Sequence, residues 1–370
     1  MHYRSNRSVP WFATAGVAST LLFGGVAHAA TTDLFALSGL ITNPGTYDLT
    51  RLQALPAVTQ TDTFTSAGTP VTTDFTGVPL YTLLTSPLAG GGIVTTPGVK
   101  NDFLRDYVVA TGSDGYRVVV SEGEIDPNFG NTQDLVAYQA NGQPLGNNGF
   151  ARTTAPGDIA GGRYVSNVAS LDVFSATSTS QIQGIGGGIS QSFALAGQIV
   201  NPRAFNLTDL QALPQTSQHV TYQAGSTTVS GTFTGVSLWT LLTSIQAGQG
   251  ILTNPNIKND LLGKFLVATG SDGYKAVIAL GEIAPNFGNK AYMIATDFTP
   301  DGGSDPGSLG SDGFARLVAT GDIKGGRYVS NLVGLEILNA PPTAVPVPGA
   351  AVLFATGLGG LVWRRFRITA

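Results

Sequence analysis

The chain contains no cysteine in its 370 residues. That excludes disulfides, thiolate metal ligands, iron–sulfur clusters and cysteine nucleophiles. Histidine is almost as scarce, with only His2, His28 and His219. The first two fall in an N-terminal leader, so the body of the chain lacks the material for a histidine triad or a multi-histidine metal site. Charged residues are 11% of the sequence, against roughly a quarter in ordinary soluble proteins. The net charge of −4 offers no basic footprint for nucleic acid. What is plentiful is glycine, at 49 residues, alongside threonine, serine and asparagine. This points to turns and strands rather than long helices. A hydrophobic content of 42% suffices for packed cores, and the length suits two domains.

Both ends carry address-like segments. His2, Arg4 and Arg7 precede an apolar run from Val9 to Val26, and Ala27-His28-Ala29 supplies a small-x-small cleavage pattern. Residues 1–29 therefore read as a secretory signal peptide, with an N-terminal anchor as the other reading. At the far end, residues 339–348 form a proline-rich linker. The stretch from Gly349 to Trp363 is apolar and uncharged, and Arg364, Arg365 and Arg367 follow it. Fifteen apolar residues fall short of the about 20 that usually span a bilayer, and the arginines would stay on the cytoplasmic side. Residues 349–370 are thus expected to be a hydrophobic helix serving as transmembrane or sorting tail.

The body of the chain is a tandem duplication. Ala110-Thr-Gly-Ser-Asp114-Gly115-Tyr116 and Gly123-Glu124-Ile125 through Gly130-Asn131 recur 158 positions later, as Ala268 to Tyr274 and Gly281 to Asn289. Repeat one occupies 30–174, a Ser/Thr/Gly linker 175–191, and repeat two 192–338. Each repeat predicts the same series. A strand ending in Asn-Pro leads to a short helix within Leu49–Pro56 or Leu207–Pro214, with Thr50 or Thr208 suited as its N-cap. Threonine-rich strands follow. A helix then carries Leu80, Leu83 and Leu84, or Leu238, Leu241 and Leu242, on one face. Ser-Asp-Gly between two apolar runs predicts a hairpin. After it, repeat two has six extra residues in a loop containing Asp297, Asp301 and Asp305. Both repeats close with a Gly-Phe-Ala-Arg, a Gly-Gly-Arg-Tyr and an alternating strand. The expected class is α+β: two β-rich domains, plus a helix at each terminus.

Two resemblances follow from these motifs. The order Leu-x-x-Leu-x-Ala-Leu-Pro, Phe-x-Gly-Val-x-Leu-x-x-Leu-Leu, Asp-Gly-Tyr and Gly-x-x-Arg resembles the molybdopterin-binding domain of the sulfite oxidase family, twice over. The resemblance implies a mixed α+β fold, one pterin-held molybdenum and oxygen-atom transfer or reductive chemistry. It also implies a protein cysteine on the metal, which this chain lacks. Molybdopterin therefore enters as a cofactor only through the resemblance, and no catalytic or metal-ligating residue is assigned. The tail, Val345-Pro346-Val347-Pro348 followed by Leu353-Phe354 and Arg364-Arg365, resembles the PEP-CTERM class of sorting signals in a Val-Pro-x-Pro variant. That implies a Gram-negative bacterium, an exosortase-type sorting enzyme as partner, transient anchoring in the inner membrane, and export to the periplasm, outer surface or medium. Exopolysaccharide commonly accompanies this class.

The residues singled out as pocket candidates are Asp114, Tyr116, Arg152 and Arg163, with Asp272, Tyr274, Arg316 and Arg327 as their copies. Each has a plainer reading: the aspartates as turn-formers, the tyrosines as core, and the arginines as partners of Glu124 and Glu282. Three functions stay open. The first is an exported, non-catalytic matrix or ligand-binding protein, with exopolysaccharide or a small molecule as ligand. The second is a molybdopterin-dependent oxidoreductase without the usual cysteine. The third is a calcium-stabilised polysaccharide binder, since Asp126-Pro-Asn128-Phe-Gly130-Asn131 loosely matches a calcium loop.

Overall fold

The computed structural model describes residues 31–303 and 307–343. Repeat one runs β1 (Leu34–Gly39), β2 (Gly45–Asp48), α1 (Leu49–Gln53), β3 (Val58–Ser66), β4 (Thr69–Pro79), α2 (Leu80–Thr85), β5 (Asp106–Gly112), β6 (Arg117–Ser121), α3 (Glu122–Ile125), β7 (Leu135–Ala140), β8 (Gln143–Pro144), β9 (Arg152–Thr153) and β10 (Val168–Ser175). Repeat two runs β11 (Phe193–Gly197), β12 (Arg203–Phe205), α4 (Leu207–Gln211), β13 (Thr216–Ala224), β14 (Thr227–Ser237), α5 (Leu238–Thr243), β15 (Lys264–Gly270), β16 (Lys275–Ala279), α6 (Leu280–Ile283), β17 (Met293–Pro300), β18 (Gly307–Ser308), β19 (Arg316–Val318) and β20 (Leu332–Asn339).

Each repeat holds two sheets. One has the order β2-β1-β10-β5-β6, matched by β12-β11-β20-β15-β16. The other has the order β3-β4-β7-β8 with β9 also on β7, matched by β13-β14-β17-β18 with β19 on β17. The β1–β10 and β11–β20 pairs are parallel, and the remaining pairs are antiparallel. The Ser-Asp-Gly hairpin forms as its turn chemistry predicts. Tyr107 pairs with Ser121 and Thr111 with Arg117, and Gly115 supplies the positive φ of +81°.

Strands β5 and β6 are buried on both faces, and period two explains how. Val108, Ala110, Val118 and Val120 point into the core of their own repeat. The alternate residues Tyr107, Val109 and Val119 pack against Phe265, Val267 and Val277 of repeat two. Tyr107 and Phe265 meet ring to ring at 4.1 Å between centroids. The continuous Val118-Val119-Val120 run is therefore the signature of a strand covered on both sides. Here the second cover is the other repeat.

The expected α+β class, with a helix at each end, is corrected. The described residues are β-rich, with twenty strands, and the six α-helices are only four to six residues long. Among the described residues no helix is long and apolar enough to cross a membrane. The leader at 1–29 and the tail at 349–370 lie outside the described residues. The internal helices stay short for local reasons. Leu80, Leu83 and Leu84 are fully buried, but they fill little more than one turn before Ser86 turns extended ahead of Pro87. The first helix of each repeat also starts earlier than expected. Asp48 caps α1 by accepting from Arg51 N–H at 2.8 Å, and Asn206 caps α4 in a reciprocal box with Asp209. Thr50 and Thr208 lie inside the helices.

Candidate functional site

The Asp-Gly-Tyr stretch leads to the seam between the repeats. Asp114 Oδ1 accepts the Tyr116 N–H at 3.0 Å, and Asp272 Oδ1 accepts that of Tyr274 at 2.9 Å. Both aspartates thus hold their own turns. The tyrosines reach further. Tyr116 OH donates to the Gly162 carbonyl at 2.7 Å and accepts from Asn259 Nδ2 of repeat two at 3.0 Å. Tyr274 OH donates to Gly326 O at 2.7 Å and accepts from Asn101 Nδ2 of repeat one at 3.3 Å. The backbone repeats the exchange, with Ile159 N–H on Phe287 O and Ile323 N–H on Phe129 O, both at 3.0 Å. Gly162 lies so close to Phe287 that an added Cβ would stand 2.4 Å from its ring, and Gly326 stands the same way to Phe129.

Behind this seam lie two buried arginines, Arg163 and Arg327, about 2% and 0% exposed. Arg163 binds Asp158 through two hydrogen bonds, at 2.8 and 2.6 Å, and Glu124 at 2.5 Å. Arg327 binds Asp322 at 2.8 and 2.7 Å and Glu282 at 2.6 Å. The arginines therefore pair with the glutamates, as one of the plainer readings held. Each also crosses the seam. A Cβ on Gly281 would meet Arg163 Cδ at 2.6 Å, and one on Gly123 would meet Arg327 Cδ at 2.5 Å. Only glycine leaves room for these side chains.

The two nests differ in their other members. Glu282 also accepts from Ser121 Oγ of repeat one at 2.6 Å, from Ala279 N–H at 2.9 Å and from Tyr292 OH at 3.0 Å. Burial opposes its charge, but Arg327 and these donors outweigh burial and hold its carboxyl below the usual range. Glu124 has fewer partners. Burial pushes it up to about 7 despite Arg163, and the charge of Glu282 adds to the rise. Asp134 stands where repeat two has Tyr292. Burial first, and then the Glu124 charge, raise it well above the ordinary aspartate range.

Two clefts open at the seam. One, of about 650 Å³, is lined by Asp272, Tyr274 and Arg316 together with Lys100, Lys324 and Tyr222. The other, of about 730 Å³, is lined by Asp114 and Tyr116 with Arg117, Lys258 and Lys264. Arg152, Arg163 and Arg327 line neither. Arg152 stacks over Phe75 and Tyr164, and burial lowers its affinity for a proton. Arg316 stands likewise over Tyr222, Phe233 and Tyr328, but it also pairs with Asp312 at 2.7 Å. The structure thus divides the eight sequence candidates among two clefts, two closed ion nests and one arginine–aromatic stack. Lys100 and Lys324 escaped the sequence reading. The Lys-Asn-Asp match at 100–102 and 258–260 was the available signal for the first.

A molybdopterin would need cationic groups free for its phosphate and a soft ligand for its metal. The residues present do not fit that group. Lys100 and Lys324 could meet a phosphate, but Arg163 and Arg327 are closed off by carboxylates, Arg152 is stacked on aromatic rings, and the chain has no thiolate to hold the metal. Among the described residues no group of three or more His, Cys, Asp or Glu side chains is placed to hold a metal ion. In the calcium-like loop, Asp126 Oδ1 accepts from the backbone and side-chain nitrogens of Asn128 at 2.7 and 3.0 Å, which makes a turn.

No family model and no curated protein matches the chain. Among solved structures, it is similar to a chain in the crystal structure of the sulfane dehydrogenase SoxCD from Paracoccus pantotrophus. The identity is 14% and the TM-score 0.31, over 81% of this chain and 77% of that one. A likeness this loose carries no chemistry from one protein to the other.

Proposed function

We propose that the chain is an exported, non-catalytic ligand-binding protein of the cell surface or matrix. In this reading the leader directs export, an exosortase-type enzyme sorts the chain at its tail, and the clefts at the seam take the ligand, a polysaccharide or small molecule. One observation carries it. The residues that the duplication repeats most faithfully are used up in joining the two repeats, as hairpin, glycine contact and buried ion nest. The two acids among them that line a cleft, Asp114 and Asp272, are turn-formers, and Asp272 has no histidine or second carboxylate among its cleft neighbours, which gives little support to general acid–base work. The absent cysteine weighs the same way against molybdenum chemistry.

Elemental analysis of the protein purified from its native host tests this reading. The expected result is no stoichiometric molybdenum and no pterin. Stoichiometric amounts of both would overturn it in favour of a molybdopterin-dependent oxidoreductase. Mass spectrometry of the exported protein tests the sorting step. Loss of the segment after about Pro348 is expected, and a chain ending at Ala370 would sink that part.

A further inference from the structure

The cleft of about 650 Å³ has a surplus of donors. Lys100 and Lys324 line it, and among the described residues neither makes an ion pair. Lys324 Nζ is held across the seam by Asn128 Oδ1 at 2.7 Å, which leaves two of its three protons free. Two further lining residues, Arg316 and Tyr328, carry unpartnered donors, Arg316 Nε and the Tyr328 hydroxyl, but these atoms are buried behind the cleft wall. The Tyr328 case is specific to this repeat. Its counterpart Tyr164 donates to Asp62 at 3.1 Å, and Val220 stands in the place of Asp62 in repeat two. The one carboxylate lining the cleft, Asp272, already accepts from the Tyr274 N–H. The remaining walls mix aromatic and apolar residues, such as Phe129, Tyr222 and Val329, with small polar ones. They include Ser330, Asn331 and the glycines 187 and 188 of the linker, which docks where Ser271 Oγ donates to Gly188 O at 2.7 Å.

We infer that this cleft binds an acidic saccharide, a chain of carboxylated sugar units, with its carboxylates at Lys100 and Lys324. This rests on the ligand-binding reading above and names the ligand class for one of its clefts. The reasoning is complementarity. The exposed ammonium groups of Lys100 and Lys324 offer free donors to an acceptor-rich ligand. Two unpaired lysines in a chain of net charge −4 select an anion. The volume lies within the usual range for small-ligand sites, roughly 300–1,000 Å³, and hydroxyls on such a ligand would face the serine, asparagine and glycine walls.

The test is titration calorimetry on the full chain at low salt with three probes: trigalacturonate, its fully methyl-esterified form and inorganic phosphate. The acid form should bind, and binding should weaken as salt rises. The double variant Lys100→Gln/Lys324→Gln should bind it at least tenfold more weakly, and its circular dichroism and melting should match the parent, because both lysines are exposed. The ester should bind at least tenfold more weakly than the acid. No binding of the acid, or equal binding by the variant, overturns the proposal. If the ester binds as well as the acid, the acidic class falls while the ligand-binding reading stands. If phosphate binds as tightly and displaces the acid, the cleft is an anion site without sugar recognition, and the saccharide assignment falls.

Discussion

Arg163 and Arg327 occupy the same place in the two repeats but keep different company. Arg327 has two carboxylates and a tyrosine. Arg163 has two carboxylates in contact and a third, Asp134, where the tyrosine would be. A buried arginine carries one positive charge, so three buried carboxylates cannot all ionise around it. Repeat two resolves this with neutral donors. Ser121, Tyr292 and the Ala279 N–H complete the shell of Glu282. Repeat one resolves it by keeping a proton. The same contrast runs along the neighbouring positions. Asp106, Glu122 and Asp126 of repeat one stand where repeat two has Lys264, Leu280 and Ala284. Asp106 is almost fully buried, and burial pushes its carboxyl up to about 7, with the Ser175 hydroxyl opposing. Identical architecture thus tolerates two opposite solutions, provided that the buried charge is neutralised somehow.

The largest expected effect comes from breaking the better nest. Arg327→Met leaves Glu282 and Asp322 buried without their cation, a loss of about 3–5 kcal/mol. Thermal melting should fall by on the order of 10 °C. A fall of less than about 2 °C would show that the nest contributes little.

Asp106→Asn sharpens the contrast from the other side. A raised folded pKa means that the folded state keeps a proton which the unfolded chain has already released. Stability from that proton is complete below the ordinary aspartate pKa and is lost as pH rises towards about 7. The asparagine variant should therefore melt higher than the parent at pH 8, by about 4 kcal/mol in stability, and show almost no advantage at pH 4. Denaturant titrations at the two pH values check this, and an equal effect at both would refute it.

Asp134→Asn should act in the same direction, stabilising the fold at neutral pH, and an unchanged melting temperature there would refute it. Glu282 gives the opposite sign. Its lowered carboxyl adds stability above the ordinary glutamate pKa, and that stability is lost as pH falls through the folded value. A Glu282→Gln variant should thus be most harmful near pH 7 and least below pH 4. Smallest of all, Asp114→Ala and Asp272→Ala should each cost about 1 kcal/mol by removing one turn hydrogen bond. Unequal losses at the two positions would mean that one aspartate does more than hold its turn.

Much of the repeat plan was legible because it rests on local chemistry. The Ser-Asp-Gly turn, the Leu80-Leu83-Leu84 face and the alternating closing strands each carry their own signal. The α+β expectation overreached because a leucine pair at i and i+3 reports a buried face, not a helix's length. The caps at Asp48 and Asn206 were missed because Thr50 and Thr208 are equally good residue types two positions inside. The seam was invisible for a deeper reason. Similarity between copies marks shared constraint, and a surface that two repeats use to bind each other is constrained just as an active site is. Tyr116 and Arg163 therefore looked like pocket residues, and Gly162 was not singled out. Their partners Asn259 and Phe287, and the Gly281 against which Arg163 packs, are distant in sequence, and no local pattern announces the contact. Lys324 was missed because its counterpart is Ala160, so the duplication does not repeat it.

The tyrosine, backbone and glycine contacts of the seam each occur twice with the partners exchanged, as they do where two identical subunits meet around a two-fold axis. In such a dimer, a substitution is necessarily made on both sides at once. A tether between the halves removes that obligation. It also holds them at an effective concentration in the millimolar range for a short flexible linker, so dilution no longer separates them. A change on one side alone can then be carried while the other side keeps the pairing intact. The tyrosine at 292 opposite an aspartate at 134, and the lysine at 324 opposite an alanine at 160, are asymmetries that a symmetric dimer cannot hold. The covalent join is what permits a single cleft, on one side of the seam, to acquire a charge of its own.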